Sequence, residues 1–247
     1  MRLDIFLHES GYVSSRTEAK TFITKGAVTV GGKIITKPSF NVDPDTAEIC
    51  IDKSSKKYAS RAGFKLEAAL DEFNIDVTSS FALDIGASSG GFTDCLLQRG
   101  AAHVIAVDSG FGQMVERLRD DDRVTVIENY NARYMEPDDF EYSPDICVMD
   151  VSFISATYII PAISSVIKEG GAFICLIKPQ FEVGKSGLGK GGIVKNDKLR
   201  NLAVDRVSES AAAVGFYRIG IIKSPIEGGD GNIEYLAYFR KGAVRIP

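Results

Sequence analysis

The chain has 247 residues, 45% of them hydrophobic and 25% charged, with a formal net charge of −4; this excludes a disordered polymer and allows one large domain beside a small one. Cys50, Cys95, Cys147 and Cys175 form no close pair, which excludes a disulfide scaffold and a zinc ligand set and predicts buried free thiols in a reducing compartment. The start, Met1-Arg2-Leu3-Asp4, lacks the apolar region of a signal peptide, and no run approaches the roughly 18 apolar residues of a membrane span, so a soluble, cytoplasmic protein is expected.

In chain order, Leu3, Phe6 and Leu7 recur at helical spacing up to Gly11. Ser15 and Glu18 form a capping box for a second helix lined by Ala19, Phe22 and Ile23 and closed by Gly26. Ala27–Val30, the pair Gly31-Gly32 and Lys33–Ile35 predict a β-hairpin with a primed turn, and Ala47–Ile51 a further strand. Residues 1–60 carry nine Lys/Arg against seven Asp/Glu, the remainder 20 against 26. This small basic unit fits either phosphate contact or a solvated face. Its order Arg-Leu-Asp, Ser-Ser-Arg, Lys-Gly-Ala-Val-x-Val-x-Gly-Lys resembles the RNA-binding domain shared by a ribosomal small-subunit protein and many pseudouridine synthases. The resemblance implies RNA contact by Arg2, Arg16, Lys20 and Lys33, with Arg61 added where the next domain begins. Residues 1–52 are taken as this domain, 53–60 as a polar linker and 61–247 as the large domain.

From residue 81, apolar runs alternate with helical patterns: Phe81–Ile85, Val104–Val107, Val124–Ile127, Ile146–Met149, Phe173–Ile177, Phe216–Ile222 and Tyr235–Phe239. Such βαβ alternation predicts an α/β fold, a mainly parallel Rossmann-like sheet with helices on both faces. The first strand runs into Asp84-Ile85-Gly86-Ala87-Ser88-Ser89-Gly90-Gly91-Phe92-Thr93, a glycine-rich turn entering a helix, where backbone can approach a ligand and free N–H groups face it. The next strand ends in Asp108, placed to accept from ribose hydroxyls. Gly86-Ala87-Ser88 breaks the dinucleotide fingerprint at its second glycine, and the turn is similar instead to the S-adenosylmethionine signature. Asp84, Gly86, Ser88, Gly90, Gly91, Phe92, Asp108 and Asn131 are therefore the expected cofactor residues. Gly184-Lys185-Ser186 is not a phosphate loop, because Pro179 stands at the required earlier glycine; residues 184–192 are expected to be a loop over the crevice.

Methylating an alcohol needs an aligned oxygen nucleophile and a base. His8 and His103 lie away from the crevice, so lysine is considered, with Lys178 as base, Asp150 and Glu234 positioning it, and Lys65 as the neighbouring cation. The segments Ser60–Leu66, Asp84–Asp94, Val148–Ile154 and Ile177–Glu182 resemble the TlyA branch of FtsJ-like ribosomal RNA methyltransferases. That resemblance implies the tetrad Lys65, Asp150, Lys178 and Glu234, S-adenosylmethionine as cofactor, no metal, and 2′-O-methylation of a cytidine in ribosomal RNA within a ribosomal subunit or its precursor. The family also carries a haemolysin label, so a membrane-active protein is the alternative, with a non-catalytic ribosome-assembly factor as a third reading.

Overall fold

The computed structural model describes residues 1–13, 15–24, 26–51, 57–228 and 231–242. The chain divides into two compact units, Met1–Ser60 and Arg61–Pro247. Residues 53–56, the first half of the expected linker, lie outside the described residues.

The first unit contains α1 (Leu3–Glu9), α2 (Arg16–Thr24), β1 (Val28–Val30), β2 (Lys33–Ile34) and β3 (Ile49–Ile51). Leu3 and Leu7 lie one turn apart on α1 and are fully buried with Ile23 and Val28, so one stripe of each helix closes on the sheet. Ser15 Oγ accepts from the Glu18 amide at 3.1 Å and starts α2. The hairpin pairs Val30 with Lys33, and Gly31 and Gly32 both take positive φ (54° and 76°), the requirement of a type I′ turn. β3 pairs with the other side of β1. Cys50 corrects one expectation: it is exposed, because as the middle residue of β3 it points to the opposite face from Ile49 and Ile51.

The second unit runs α3 (Ala62–Glu72), β4 (Phe81–Ile85), α4 (Gly91–Gln98), β5 (His103–Val107), α5 (Glu116–Arg119), β6 (Val124–Ile127), β7 (Ile146–Met149), α6 (Ile160–Val166), β8 (Ala172–Ile177), α7 (Pro179–Glu182), α8 (Asp197–Ala213), β9 (Phe216–Lys223) and β10 (Tyr235–Lys241). These strands form one sheet of order β6-β5-β4-β7-β8-β10-β9. β4 to β8 are parallel, and β10 runs antiparallel to both β8 and β9. Every residue of β7 and β8 is buried, which is why both read as unbroken apolar runs. Phe173 of β8 meets Phe216 and Phe239 at centroid distances of 5.4 and 5.6 Å, tying the parallel strands to the antiparallel pair. The chain leaves β4 for β5 on one side, and β7 lies on the other side. The switch point therefore falls between β4 and β7, where open α/β sheets bind ligands.

Among the described residues no helix is long and apolar enough to cross a membrane.

Candidate active site

The carboxyl ends of β4, β5 and β7 enclose a cavity of about 660 Å³, within the range of small-molecule sites. Gly86, Ser88, Asp108, Asn131 and Asp150 line it, with Gly110, Gln113, Ser152 and Phe153. Gly86 has φ +80°, and a Cβ there would lie 2.4 Å from the Asp150 carbonyl oxygen. Only glycine lets the turn after β4 pass this close to the end of β7. At Gly110 a Cβ would lie 2.0 Å from Gln113 Nε2.

Asp108 is oriented by backbone donors. Its Oδ2 accepts from the Ser88 amide at 2.8 Å and its Oδ1 from the Gly110 amide at 2.7 Å. Each oxygen keeps a further lone pair for a hydroxyl, so the carboxylate can accept from a diol at the cavity wall. Asn131 Oδ1 accepts from the Arg133 amide at 3.1 Å, capping the short turn Ala132–Tyr134. Ser88 Oγ donates to Gln113 Oε1 at 2.9 Å, linking the two loops of the wall.

Four of the expected cofactor residues stand behind this wall. Asp84 is fully buried; its Oδ2 accepts from the Thr93 amide (2.9 Å) and hydroxyl (2.6 Å). Gly90 occupies the N-cap of α4 with φ +92° and has no side chain to cap the helix, so Asp84 does so from across the turn. Asp84 Oδ1 has no hydrogen-bond partner among the described residues. Burial first, and then the Asp150 and Asp108 charges, push the Asp84 carboxyl up to about 7 against the pull of the Thr93 bonds. A Cβ at Gly90 would lie 2.4 Å from Leu118 Cδ1, so this glycine admits protein rather than ligand. Gly91 and Phe92 are buried in the first turn of α4. These four residues shape the turn, and the cavity surface falls to Gly86, Ser88, Asp108 and Asn131.

The tetrad residues meet in two ion pairs. Lys65, on α3, reaches Glu234 Oε2 at 2.6 Å, with Glu234 at 2% exposure. Gly228 makes room, since a Cβ there would lie 2.6 Å from Glu234 Oε1. Lys178 Nζ lies 2.5 Å from Asp150 Oδ1, an ion contact off the angle of a hydrogen bond, and donates to Ser152 Oγ at 2.8 Å. Lys178 follows the last residue of β8, and Glu234 precedes Tyr235, the register partner of Ile177. Extending that antiparallel register by one residue sets Glu234 opposite Lys178. Asp150 belongs both to the cavity wall and to the Lys178 pair, so the two features are continuous. His103 opens β5 at the other end of the sheet and bonds Thr125 Oγ1, and His8 lies in the last turn of α1.

Of the expected RNA contacts, Arg2 and Arg16 converge on Asp4, at 2.9 and 3.2 Å, each guanidinium about half exposed around a buried carboxylate. The Arg2 hydrogen bonds hold the Asp4 carboxyl below its ordinary value. Lys20 is exposed one turn along α2 from Arg16, and Lys33 is exposed on β2. Arg61 stands in the second unit as the N-cap of α3, half-buried.

Three residues outside the expected set also build the site: Gln113 and the buried Asn232, which no sequence pattern marks, and Ser152, which lies in the segment Val148–Ile154. Asn232 Oδ1 accepts from the Val194 amide and its Nδ2 donates to the Gly192 carbonyl, pinning the end of the glycine-rich loop beside the entry to β10.

A doubly wound sheet whose cavity at the strands' carboxyl ends carries a carboxylate held by two backbone amides, and a lysine–carboxylate pair that shares Asp150 with the cavity wall, has the layout of a group-transfer enzyme. Residues 58–241 match the FtsJ-like methyltransferase family and residues 1–47 the S4 domain. The chain belongs to the FtsJ-like methyltransferases and carries an amino-terminal S4 domain. It is 44% identical over 97% of its length to Hemolysin A of Brachyspira hyodysenteriae, covering 99% of that protein. It is 40% identical over 97% of its length to the 16S/23S rRNA (cytidine-2′-O)-methyltransferase TlyA of Mycobacterium tuberculosis, covering 89% of it. A solved structure from Streptococcus thermophilus superposes with a TM-score of 0.78 at 42% identity, over 98% of this chain and 88% of that one.

Proposed function

We propose that this protein methylates the 2′-hydroxyl of a cytidine in ribosomal RNA, with S-adenosylmethionine as the methyl donor. The observation that carries the proposal is the Lys178–Asp150 pair, which shares Asp150 with the cavity wall. The cavity residues fit the cofactor: Asp108 suits its ribose diol, Gly86 brings backbone against it, and Asp150 and Asp108 set negative charge around a cation. The cofactor supplies an electrophilic methyl group on a sulfonium.

The chain's own residues supply alignment and the proton's destination. Lys178 would take the proton of the 2′-hydroxyl at Nζ, while the bound cofactor would supply the methyl group that the oxygen gains. Asp150 and Ser152 fix where Nζ sits. The Lys65–Glu234 pair holds the far side of the site, buried enough that neither partner can leave without stranding the other. The S4 domain supplies RNA affinity through Arg2, Arg16, Lys20 and Lys33, with Arg61 on the catalytic unit, and its cations set position along phosphate rather than sequence choice.

Single-turnover methylation of ribosomal subunits by Lys178→Ala and Lys178→Arg tests the reading. Both should lose about 100-fold or more in rate while keeping cofactor affinity, since a guanidinium stays protonated and cannot accept the proton. A near-normal rate in Lys178→Arg would remove Lys178 as the base.

A further inference from the structure

Two short arms leave the sheet side by side. One runs from Asp150 to Ala156 after β7, the other from Lys178 to Glu182 after β8. At the near end they are joined by the Asp150–Lys178 ion pair (2.5 Å) and by Lys178 Nζ donating to Ser152 Oγ (2.8 Å). At the far end they are joined again. The buried Glu182 carboxylate, 3% exposed, accepts from Ser155 Oγ at 2.5 Å and from the Ala156 amide at 2.8 Å. Between the two joints the rings of Phe153 and Phe181 meet at a centroid distance of 5.4 Å. The result is a closed ring of contacts with the reacting lysine on one side and Glu182 on the other.

Phe153 shows that the first arm is held rather than relaxed. Its φ is +65° and its side chain is 92% exposed, so neither glycine's freedom nor burial of the ring accounts for the conformation. A left-handed backbone at a bulky residue persists where its neighbours on both sides over-determine it. The neighbours here are Ser152, fixed by Lys178, and Ser155 with Ala156, fixed by Glu182.

We propose that Glu182 is a positioning residue: by locking Ser155 and Ala156 it holds the Asp150–Ala156 arm in place, and through Asp150 and Ser152 it sets Lys178 Nζ beside the cavity wall. Glu182 itself does not line the cavity, so its effect passes through the arm. Two convergent donors, an amide and a hydroxyl, require two acceptor positions on one buried group. A glutamine preserves the joint, its carbonyl accepting from Ala156 and its amide donating to Ser155 Oγ, whose proton can turn to Thr157 Oγ1 at 2.7 Å. An alanine leaves both donors open.

The rate arm of the test rests on the proposed methylation; a second arm, by fluorescence, does not. The chain has no tryptophan, so Phe153→Trp in the full-length protein gives a single fluorophore on the first arm. The anisotropy of this indole should fall when Glu182→Ala is added and stay when Glu182→Gln is added. In the unsubstituted chain, Glu182→Ala should lower single-turnover methylation about 10-fold to 100-fold, the scale of a misplaced reacting group, with S-adenosylmethionine affinity by calorimetry changed less than about threefold, and Glu182→Gln should stay near wild type. Should Glu182→Ala fail to fold, Ser155→Ala, which removes only the hydroxyl joint, must show the same pattern at smaller amplitude. Unchanged indole anisotropy on adding Glu182→Ala, or a rate that falls only with the folded fraction, overturns the inference. A wild-type protein inactive on ribosomal RNA would sink the proposed function while the fluorescence arm still decides the role of Glu182.

Discussion

Asp84 gives the protein a pH-dependent stability whose sign and size follow from its surroundings. Its carboxyl is pushed from an ordinary value of 3.8 up to about 7, first by burial, with one oxygen unpartnered and the other bonded to Thr93. Between those values the folded chain keeps a proton that the unfolded chain has released, so stability is full below about pH 4 and declines as pH rises toward 7. At 1.36 kcal/mol per unit, the whole span has a ceiling of about 4 kcal/mol, and the interval from pH 5 to 7 carries about 2 kcal/mol of it, because the folded carboxyl is half ionised at pH 7. Asp84→Asn keeps a carbonyl acceptor for Thr93 and cannot ionise. Urea unfolding of both proteins across pH 5 to 8 should show Asp84→Asn gaining on the wild type by about 2 kcal/mol between pH 5 and 7 and the gain levelling off toward pH 8. Parallel curves throughout would refute the assignment of a buried, proton-holding Asp84.

Other outcomes follow from the same geometry. Lys65→Ala strands the buried Glu234 charge and should cost about 3–5 kcal/mol in unfolding free energy, whereas Lys65→Met with Glu234→Leu, which removes both charges, should recover most of it while staying inactive. Gly86→Ala forces a Cβ to 2.4 Å from the Asp150 carbonyl at φ +80°; calorimetry should show S-adenosylmethionine affinity reduced about tenfold or more, with a lower melting temperature. Arg16→Glu with Lys20→Glu should flatten the salt dependence of ribosomal RNA binding by about two phosphate contacts and leave cofactor affinity unchanged.

The sheet was legible because parallel strands buried on both faces read as unbroken apolar runs, and β4, β6 and β7 begin and end where the sequence pattern places them. The antiparallel insertion of β10 between β8 and β9 leaves no such trace, since a strand's pattern reports burial and not direction. At the site, charged residues at strand ends were legible: Asp108, Asp150 and Lys178 each follow a run of buried residues. The glycine turn was ambiguous for a physical reason. Gly86 and Gly90 both permit close approach, but Gly86 approaches the Asp150 carbonyl at the cavity wall and Gly90 approaches Leu118 and Met114 behind it, and sequence alone does not say which neighbour arrives. Gln113 and Asn232 carry no sequence signal because hydrogen bonds to distant loops impose no spacing. Ser152 and Glu182 lie inside the motif segments Val148–Ile154 and Ile177–Glu182, but the motifs do not reveal their partners, which lie 26 residues from Ser152 and 26 and 27 residues from Glu182.

The proposed reaction places the methyl group on a ribose oxygen of ribosomal RNA. The most direct measurement incubates the purified chain with methyl-labelled S-adenosylmethionine and unmodified ribosomal subunits, then hydrolyses the RNA in alkali, which cannot cleave beside a 2′-O-methyl group. Label is expected in an alkali-resistant dinucleotide beginning with cytidine and is expected to be absent with Lys178→Ala; label released entirely in mononucleotides, or equal labelling by Lys178→Ala, would rule out ribose methylation by this site.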